Sequence, residues 1–282
     1  MIVVNRPGGR ILVVQQPDHA AASGTIARRW QRPEQVSPTT WQRFVEAVHR
    51  HDEGWATQER RPRLDASGRP EDFKSIATPE HVAIWQRTLD HLEAEDCFMA
   101  LVVAQHAHWL YTHVGQDHVE DQQSAIRFVE SLSHRINTYL AQAQEGNDEE
   151  RTAVEPHTLA RFGVLLGLFD RLSLMLIGGL PWHEPDEEVA FGPEIARLSL
   201  QQHAGGIRIN PWPFCGGSWD LATQARELPQ KRFASEADFA QGLRRSPWIA
   251  LQHHIEPNQP LNPGPPPLPI STAPRQPQAP RS

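Results

Sequence analysis

An amphipathic helix that runs directly into an adjacent His-Asp pair is the most constraining stretch of this chain. Trp41, Phe44 and Val48 follow the spacing of a helix that buries one face. The same face continues to Asp52, with His51 on its flank, so polar side chains occupy expected core positions. A buried carboxylate is costly unless it is paired or binds a metal. The stretch therefore indicates either a metal site or a helix end at which Asp52 turns into solvent.

Apolar periodicity predicts mostly helices along the rest of the chain, with strands near its two ends. β-Branched runs at 2–4 and 11–14 predict one hairpin, and alternation at 198–200 and 207–209 predicts a second. Alternation at 249–255 predicts a last strand. We expect a mainly α fold, with a small antiparallel sheet formed from the N- and C-terminal hairpins. Residues 1–256 are predicted to be one domain, and the Pro-rich residues 257–282 a disordered tail.

Charge and cysteine content argue against several classes of protein. The net charge of −7 comes without a basic patch, which disfavours a nucleic-acid-binding protein. The two cysteines lie far apart in sequence, so they predict no disulfide framework and fit a cytoplasmic protein. The longest apolar run, 164–180, is interrupted by Asp170 and Arg171, which argues against a membrane span.

Four separate segments place a possible metal ligand on a core-facing stripe. The residues concerned are His19, the His51-Asp52 pair, His106 and Asp170. Any one of them is more simply explained as a satisfied core histidine or a paired aspartate, but four together favour a site. Imidazole and carboxylate ligands suit divalent Fe, Mn, Co, Ni, Zn or Mg. Such an ion activates water and polarises a phosphoryl or acyl oxygen, which is the chemistry that hydrolysis needs.

The chain resembles the HD superfamily of metal-dependent phosphohydrolases at three short motifs. These are His19-x-x-x-Ser23-Gly24-x-x-Ala27, His51-Asp52 and Asp170-Arg171-Leu172-Ser173. The resemblance implies an HD-like helical bundle in which His19, His51 and Asp52 bind a divalent metal together with Asp170. It also implies that His106 matches the extra histidine of members that bind two ions or contact phosphate. HD enzymes commonly follow the pair with a small apolar residue and Gly-Lys, whereas Glu53-Gly54-Trp55 follows here.

A second resemblance covers most of residues 1–256 and concerns an uncharacterised bacterial family, a domain of unknown function. It rests on the motifs Gln16-Pro-Asp-His-Ala, His51-Asp-x-Gly-Trp, Asp170-Arg-Leu-Ser and Pro211-Trp-Pro-Phe. This resemblance implies a family but no activity.

The leading hypothesis is a divalent-metal-dependent phosphohydrolase that acts on a phosphorylated small molecule. Asp52 and His106 are the predicted catalytic residues: Asp52 both binds the metal and holds the attacking water, and His106 contacts phosphate or acts as an acid. The substrate-binding candidates lie in or before a long charged loop, and they are Trp55, Arg61, Arg69 and Lys74. The alternatives are an iron-dependent HD-like oxygenase and a non-catalytic ligand-binding or sensor domain. Substrate, metal identity and oligomeric state stay open.

Overall fold

A layer of helices packs against a six-stranded sheet in the computed structural model, which describes residues 1–114 and 121–258. The described helices are α1 (Gln16–Arg29), α2 (Pro38–Arg50), α3 (Trp55–Glu59), α4 (Thr78–Glu95), α5 (Cys97–Trp109), α6 (Gln122–Glu145), α7 (Asp148–Ala153), α8 (Pro156–Ile177) and α9 (Glu236–Arg245). A π-helical turn, Leu110–Val114, extends α5. Within the described ranges, no helix is both long and apolar enough to cross a bilayer.

The sheet is mixed, and its strand order is β1-β2-β7-β8-β6-β5. The strands are β1 (Ile2–Asn5), β2 (Ile11–Val14), β3 (Glu188–Phe191), β4 (Glu194–Arg197), β5 (Ser199–His203), β6 (Gly206–Asn210), β7 (Trp219–Leu228) and β8 (Trp248–Pro257). All neighbours in the large sheet are antiparallel except β6 and β8, which run parallel. Strands β3 and β4 form a separate two-stranded sheet.

The predicted architecture, a mainly α bundle with a small antiparallel sheet, is wrong. Both predicted hairpins exist, as β1–β2 and β5–β6, but the ten-residue strands β7 and β8 join them into one large sheet. The buried positions of β7 include Thr223 and Ala225. Because one is polar and the other is small, the buried face of β7 does not show as an alternation of large apolar residues in the sequence. The parallel pairing of β6 with β8 joins strands separated by β7 and α9, which no local pattern encodes.

Helix α1 lies between the sheet and the other helices, because it contacts β7 as well as α2 and α8. Gly24 allows α2 to approach closely, since a Cβ there would lie 2.7 Å from the Cβ of His49. Gly54 likewise allows α4 to approach closely, because a Cβ at this position would clash with the carbonyl oxygen of Ile84 in α4. These two contacts hold the C-terminal end of α2, and the residues that follow it, against α1 and α4.

Helix α8 is the buried central helix that the sequence predicts to start at Glu155-Pro156, and its apolar stretch covers 164–177. It ends at Gly178, whose φ of 88° is the left-handed conformation of a helix C-terminus. Of the predicted tail, Pro257 pairs with Ile209 at the end of β8, and the residues after Asn258 lie outside the described part of the chain. The predicted domain boundaries stay a prediction.

Candidate metal centre

Four helices deliver five polar side chains to one buried cluster. His19 lies in the first turn of α1, His51 and Asp52 end α2, His106 lies near the end of α5, and Asp170 lies in α8. His19, His51 and His106 are at most 3% exposed, and Asp52 is 7% exposed. The structure therefore excludes the simpler interpretation in which Asp52 leaves the helix into solvent.

The nitrogen and oxygen atoms of the cluster are close enough to share one ion. His19 Nε2 lies 2.9 Å from Asp170 Oδ1 and 3.7 Å from Asp52 Oδ2. His51 Nε2 lies 3.6 Å from each of the same two carboxylate oxygens. One ligand atom each from His19, His51 and Asp52 lie within 4.8 Å of one another. Ligands held about 2.0–2.2 Å from one ion are about 3–3.6 Å apart, so the observed separations fit a shared ion.

Hydrogen bonds behind the cluster hold the rings of His51 and His19. His51 Nδ1 lies 2.7 Å from the carbonyl oxygen of Val48 and donates to it, which leaves the Nε2 lone pair facing the carboxylates. His19 Nδ1 donates to Ser173 Oγ, whose hydroxyl donates in turn to the Asp170 carbonyl oxygen at 3.0 Å. Metal-binding histidines usually carry such a partner on the other ring nitrogen. His51 Nε2 has no hydrogen-bond partner among the described residues.

The electrostatics of the cluster favour positive charge between the carboxylates. Burial lowers the pKa of His51, but Asp52, Asp170 and the Val48 carbonyl outweigh burial and raise this pKa to about 9. Burial raises the pKa of Asp170, but its contacts with His106, His19 and His51 lower it well below its ordinary value. Asp170 is thus an anion in a nearly closed environment. A buried anion of this kind needs a counter-charge, which protons on the histidines or a metal ion supply.

Asp170 does not use its neighbour Arg171 as that counter-charge. Arg171 Nη2 instead contacts Glu187 Oε2 at 3.1 Å. His106 Nε2 lies 3.3 Å from Asp170 Oδ2. His106 therefore contacts the carboxylates of the cluster through Asp170, and its Nε2 makes no hydrogen bond with a described residue. His113, in the π-helical turn that follows α5, is exposed and stacks on Trp109, away from the cluster's buried side chains.

The cluster opens into a cavity of about 320 Å³, which we call the site cavity. Of the four predicted substrate-binding residues, Trp55 and Lys74 line it. Arg61 and Arg69 do not: Arg61 lines a small separate recess, and Arg69 bonds to Asn5. Lys74 is held in place because its Nζ donates to the Gly179 carbonyl oxygen at 2.9 Å. The roles of all these residues stay predictions.

A hydrogen-bonded chain of aromatic side chains in the site cavity was not predicted. Trp85 Nε1 donates to His81 Nε2 at 3.2 Å, so this ring nitrogen carries no proton. Burial lowers the pKa of His81 to about 4, and the neutral ring must therefore donate from Nδ1 to the Tyr111 hydroxyl oxygen, 2.9 Å away. The Tyr111 proton is then left to donate to another group in the cavity. The available sequence signal was the four-residue spacing of His81 and Trp85 on one helix face.

Comparison with known proteins identifies a family and no activity. Comparison with the curated proteins finds no match, and comparison with the solved structures finds none. A family model described as a protein of unknown function, DUF3891, matches residues 1–230. That range contains every residue of the cluster and of the site cavity described above. The chain belongs to the DUF3891 family of proteins of unknown function.

Proposed function

We propose that this protein binds a divalent metal ion through His19, His51, Asp52 and Asp170 and hydrolyses a phosphorylated small molecule there. The observation that carries the proposal is the convergence of two imidazole Nε2 atoms and two carboxylates, with nitrogen–oxygen distances of 2.9–3.7 Å, at the wall of a cavity. The two carboxylates together balance the charge of a divalent ion when both histidines are neutral. An ion at this position supplies a water of lowered pKa and polarises a phosphoryl oxygen.

The cavity walls support a substrate with a single phosphate group. Among the described residues, one lysine and no arginine line the site cavity, and that lysine is Lys74. Arg61 lines the small separate recess, and Arg69 bonds to Asn5. One ammonium group matches one phosphate better than a polyphosphate chain. The Tyr111 hydroxyl donates a further hydrogen bond, and Trp55 offers a flat apolar surface for the rest of the molecule.

We assign to His106 the exchange of a proton with the leaving group. Its Nε2 is buried, lacks a hydrogen-bond partner among the described residues and borders the cavity beside Asp170. A proton donor in this position typically contributes a factor of about 10²–10⁴ to the rate. We expect His106→Gln to lower kcat by that factor while metal content is unchanged, which separates an acid from a ligand.

An iron-dependent oxygenase is a second candidate, favoured by the ligand set. Two histidines and one carboxylate also form the facial triad of non-haem iron oxygenases. His19, His51 and Asp52 supply these three groups, and Asp170 is a second carboxylate beside them. The two candidates differ in what they consume, since the oxygenase needs bound iron and O₂.

The decisive experiment measures metal content and turnover on the same purified protein. We expect about one divalent ion per chain by elemental analysis, and hydrolysis of phosphate esters such as p-nitrophenyl phosphate or bis-p-nitrophenyl phosphate. His51→Gln should lose both. His134→Gln, a histidine exposed on α6, should keep both and serves as the matched control.

Each other outcome has a defined meaning. Absence of bound metal under all loading conditions contradicts the proposal. Bound iron together with O₂ consumption and no ester hydrolysis replaces it with the oxygenase. A stably bound ion without either reaction replaces it with the ligand-binding or sensor domain.

A further inference from the structure

A second and larger cavity borders the candidate metal centre. Its volume is about 840 Å³, within the range of pockets that bind small molecules, and we call it the apolar cavity. One wall is a face of α8 that contains Ala160, Gly163, Val164 and Gly167. Ile136 and Leu140 of α6 also line the cavity.

The apolar cavity and the site cavity meet at the cluster. His106 and Asp170 line both of them, together with Leu110 and Leu180. From Ala160 to Asp170 the α8 wall covers eleven residues, and the ten steps between them give a length of about 15 Å at the rise of an α-helix. A molecule that fills the apolar cavity and reaches the cluster must therefore be elongated.

Two glycines create space along this wall that nothing in the described part of the chain uses. A Cβ built on Gly163 or Gly167 would meet no described atom within 4 Å, whereas one on Gly24 would clash. A glycine inside a helix makes the helix less stable than an alanine would. Helix packing explains this cost at Gly24, but not at Gly163 or Gly167. A bound molecule that lies against the α8 backbone would explain it.

Two buried nitrogen atoms that border the apolar cavity make no hydrogen bond within the described residues, although His106 Nε2 lies 3.3 Å from Asp170 Oδ2 and Arg171 contacts Glu187 through its Nη2. His106 is 3% exposed, and its Nε2 borders the cavity without a hydrogen-bond partner among the residues described. Arg171 borders the same cavity, and its buried Nε is likewise unpaired among these residues. A buried polar atom without a partner costs free energy, so these two groups favour a ligand with a polar end at this position.

We propose that the apolar cavity binds the alkyl or acyl chain of an amphiphilic substrate, whose phosphorylated head group lies at the candidate metal centre. The position of the head group rests on the proposed function, and the binding of the chain does not. The chain lies along Gly163 and Gly167 of α8, against Ile136 and Leu140 of α6. His106, which borders both cavities, lies at the junction between chain and head group.

Binding of alkylphosphonates of increasing length tests this inference, because a phosphonate is not hydrolysed. We expect calorimetric affinity to rise by about three- to fourfold per methylene from butyl- to octylphosphonate, below the critical micelle concentration. Gly167→Leu fills the apolar cavity and should remove most of this dependence on chain length. Gly217→Leu, a change at an exposed loop glycine without close neighbours, should leave the dependence unchanged.

The outcomes separate this inference from the proposed function. Equal affinity for all chain lengths overturns the inference, as does an unchanged dependence in a folded Gly167→Leu protein. Analytical ultracentrifugation gives a further outcome that overturns the inference. If the protein is a dimer that Gly167→Leu dissociates and the phosphonates do not, the apolar cavity belongs to a contact with a second copy of the chain. If the unaltered protein binds no metal and still shows the chain-length dependence, the chain site is supported and the metal-dependent hydrolase is rejected.

Discussion

At the residue scale, His81 is a neutral imidazole held between Trp85 and Tyr111, and its protonation should destabilise the fold. Burial lowers its pKa from 6.5 to about 4, so the folded state binds a proton less readily than the unfolded state. The stability due to the neutral ring is fully present above pH 6.5 and is lost as the pH falls towards 4. By pH 5 the expected loss is about 1–2 kcal/mol.

Urea unfolding at pH 7 and pH 5 measures this loss. His81→Gln removes the titrating group, so its free energy of unfolding should fall less between the two pH values than that of the unaltered protein. His134→Gln, on the exposed surface of α6, should behave like the unaltered protein. Equal pH dependence in all three proteins would show that His81 is already accessible to protons in the folded state.

The polar residues of the cluster could be identified from sequence, but the residues of the aromatic chain could not. His51, Asp52 and Asp170 interrupt apolar stripes, and such interruptions are visible without a structure. His81 lies on a partly exposed helix face, and Tyr111 lies in a π-helical turn, so neither breaks a pattern. Arg61 and Arg69 were predicted near the site from their charge alone, and charge does not determine which way a loop folds.

At the element scale, the spacing of α1 and α2 depends on the missing side chain at Gly24. We expect Gly24→Ala to lower the free energy of unfolding by about 1–3 kcal/mol, because the new Cβ would lie 2.7 Å from that of His49. Gly163→Ala is the matched control in another helix, where the Cβ meets no described atom. It should raise the free energy of unfolding by about 0.5–1 kcal/mol through helix propensity. Chemical denaturation of both variants tests this, and changes of the same sign would contradict it.

The hairpins and most helices follow from local patterns, whereas the sheet that joins them does not. Strands β1 and β2 are rich in valine and isoleucine and are separated by five residues, 6–10, so their pairing is local. Strands β2 and β7 pair across about 200 residues of chain, with Ile11 opposite Leu228. Such long-range pairing depends on how α1 and α8 pack against the sheet, and no window of sequence contains that information.

At the scale of the whole molecule, the candidate metal centre joins helices that are distant in sequence. His19 comes from α1, the His51-Asp52 pair from the end of α2, and Asp170 from α8. An ion bound by all of them crosslinks these helices, and it stabilises the folded state by mass action. An ion present at about 100 times its dissociation constant contributes about 2.7 kcal/mol, or roughly 5–10 °C in melting temperature for a chain of this size.

Chelation should therefore lower the melting temperature, and Asp170→Asn should abolish most of that effect. Removal of the ion leaves the Asp52 and Asp170 carboxylates to repel each other inside the fold, and the asparagine variant has lost one of the two charges. Calorimetric scans of both proteins, with and without chelator, measure the difference. If Asp170 serves only as a structural partner of the three histidines, chelator will not change the melting temperature of the unaltered protein. Asp170→Asn will then melt lower in both conditions, because the three histidine rings stay buried and no longer have the Asp170 carboxylate beside them.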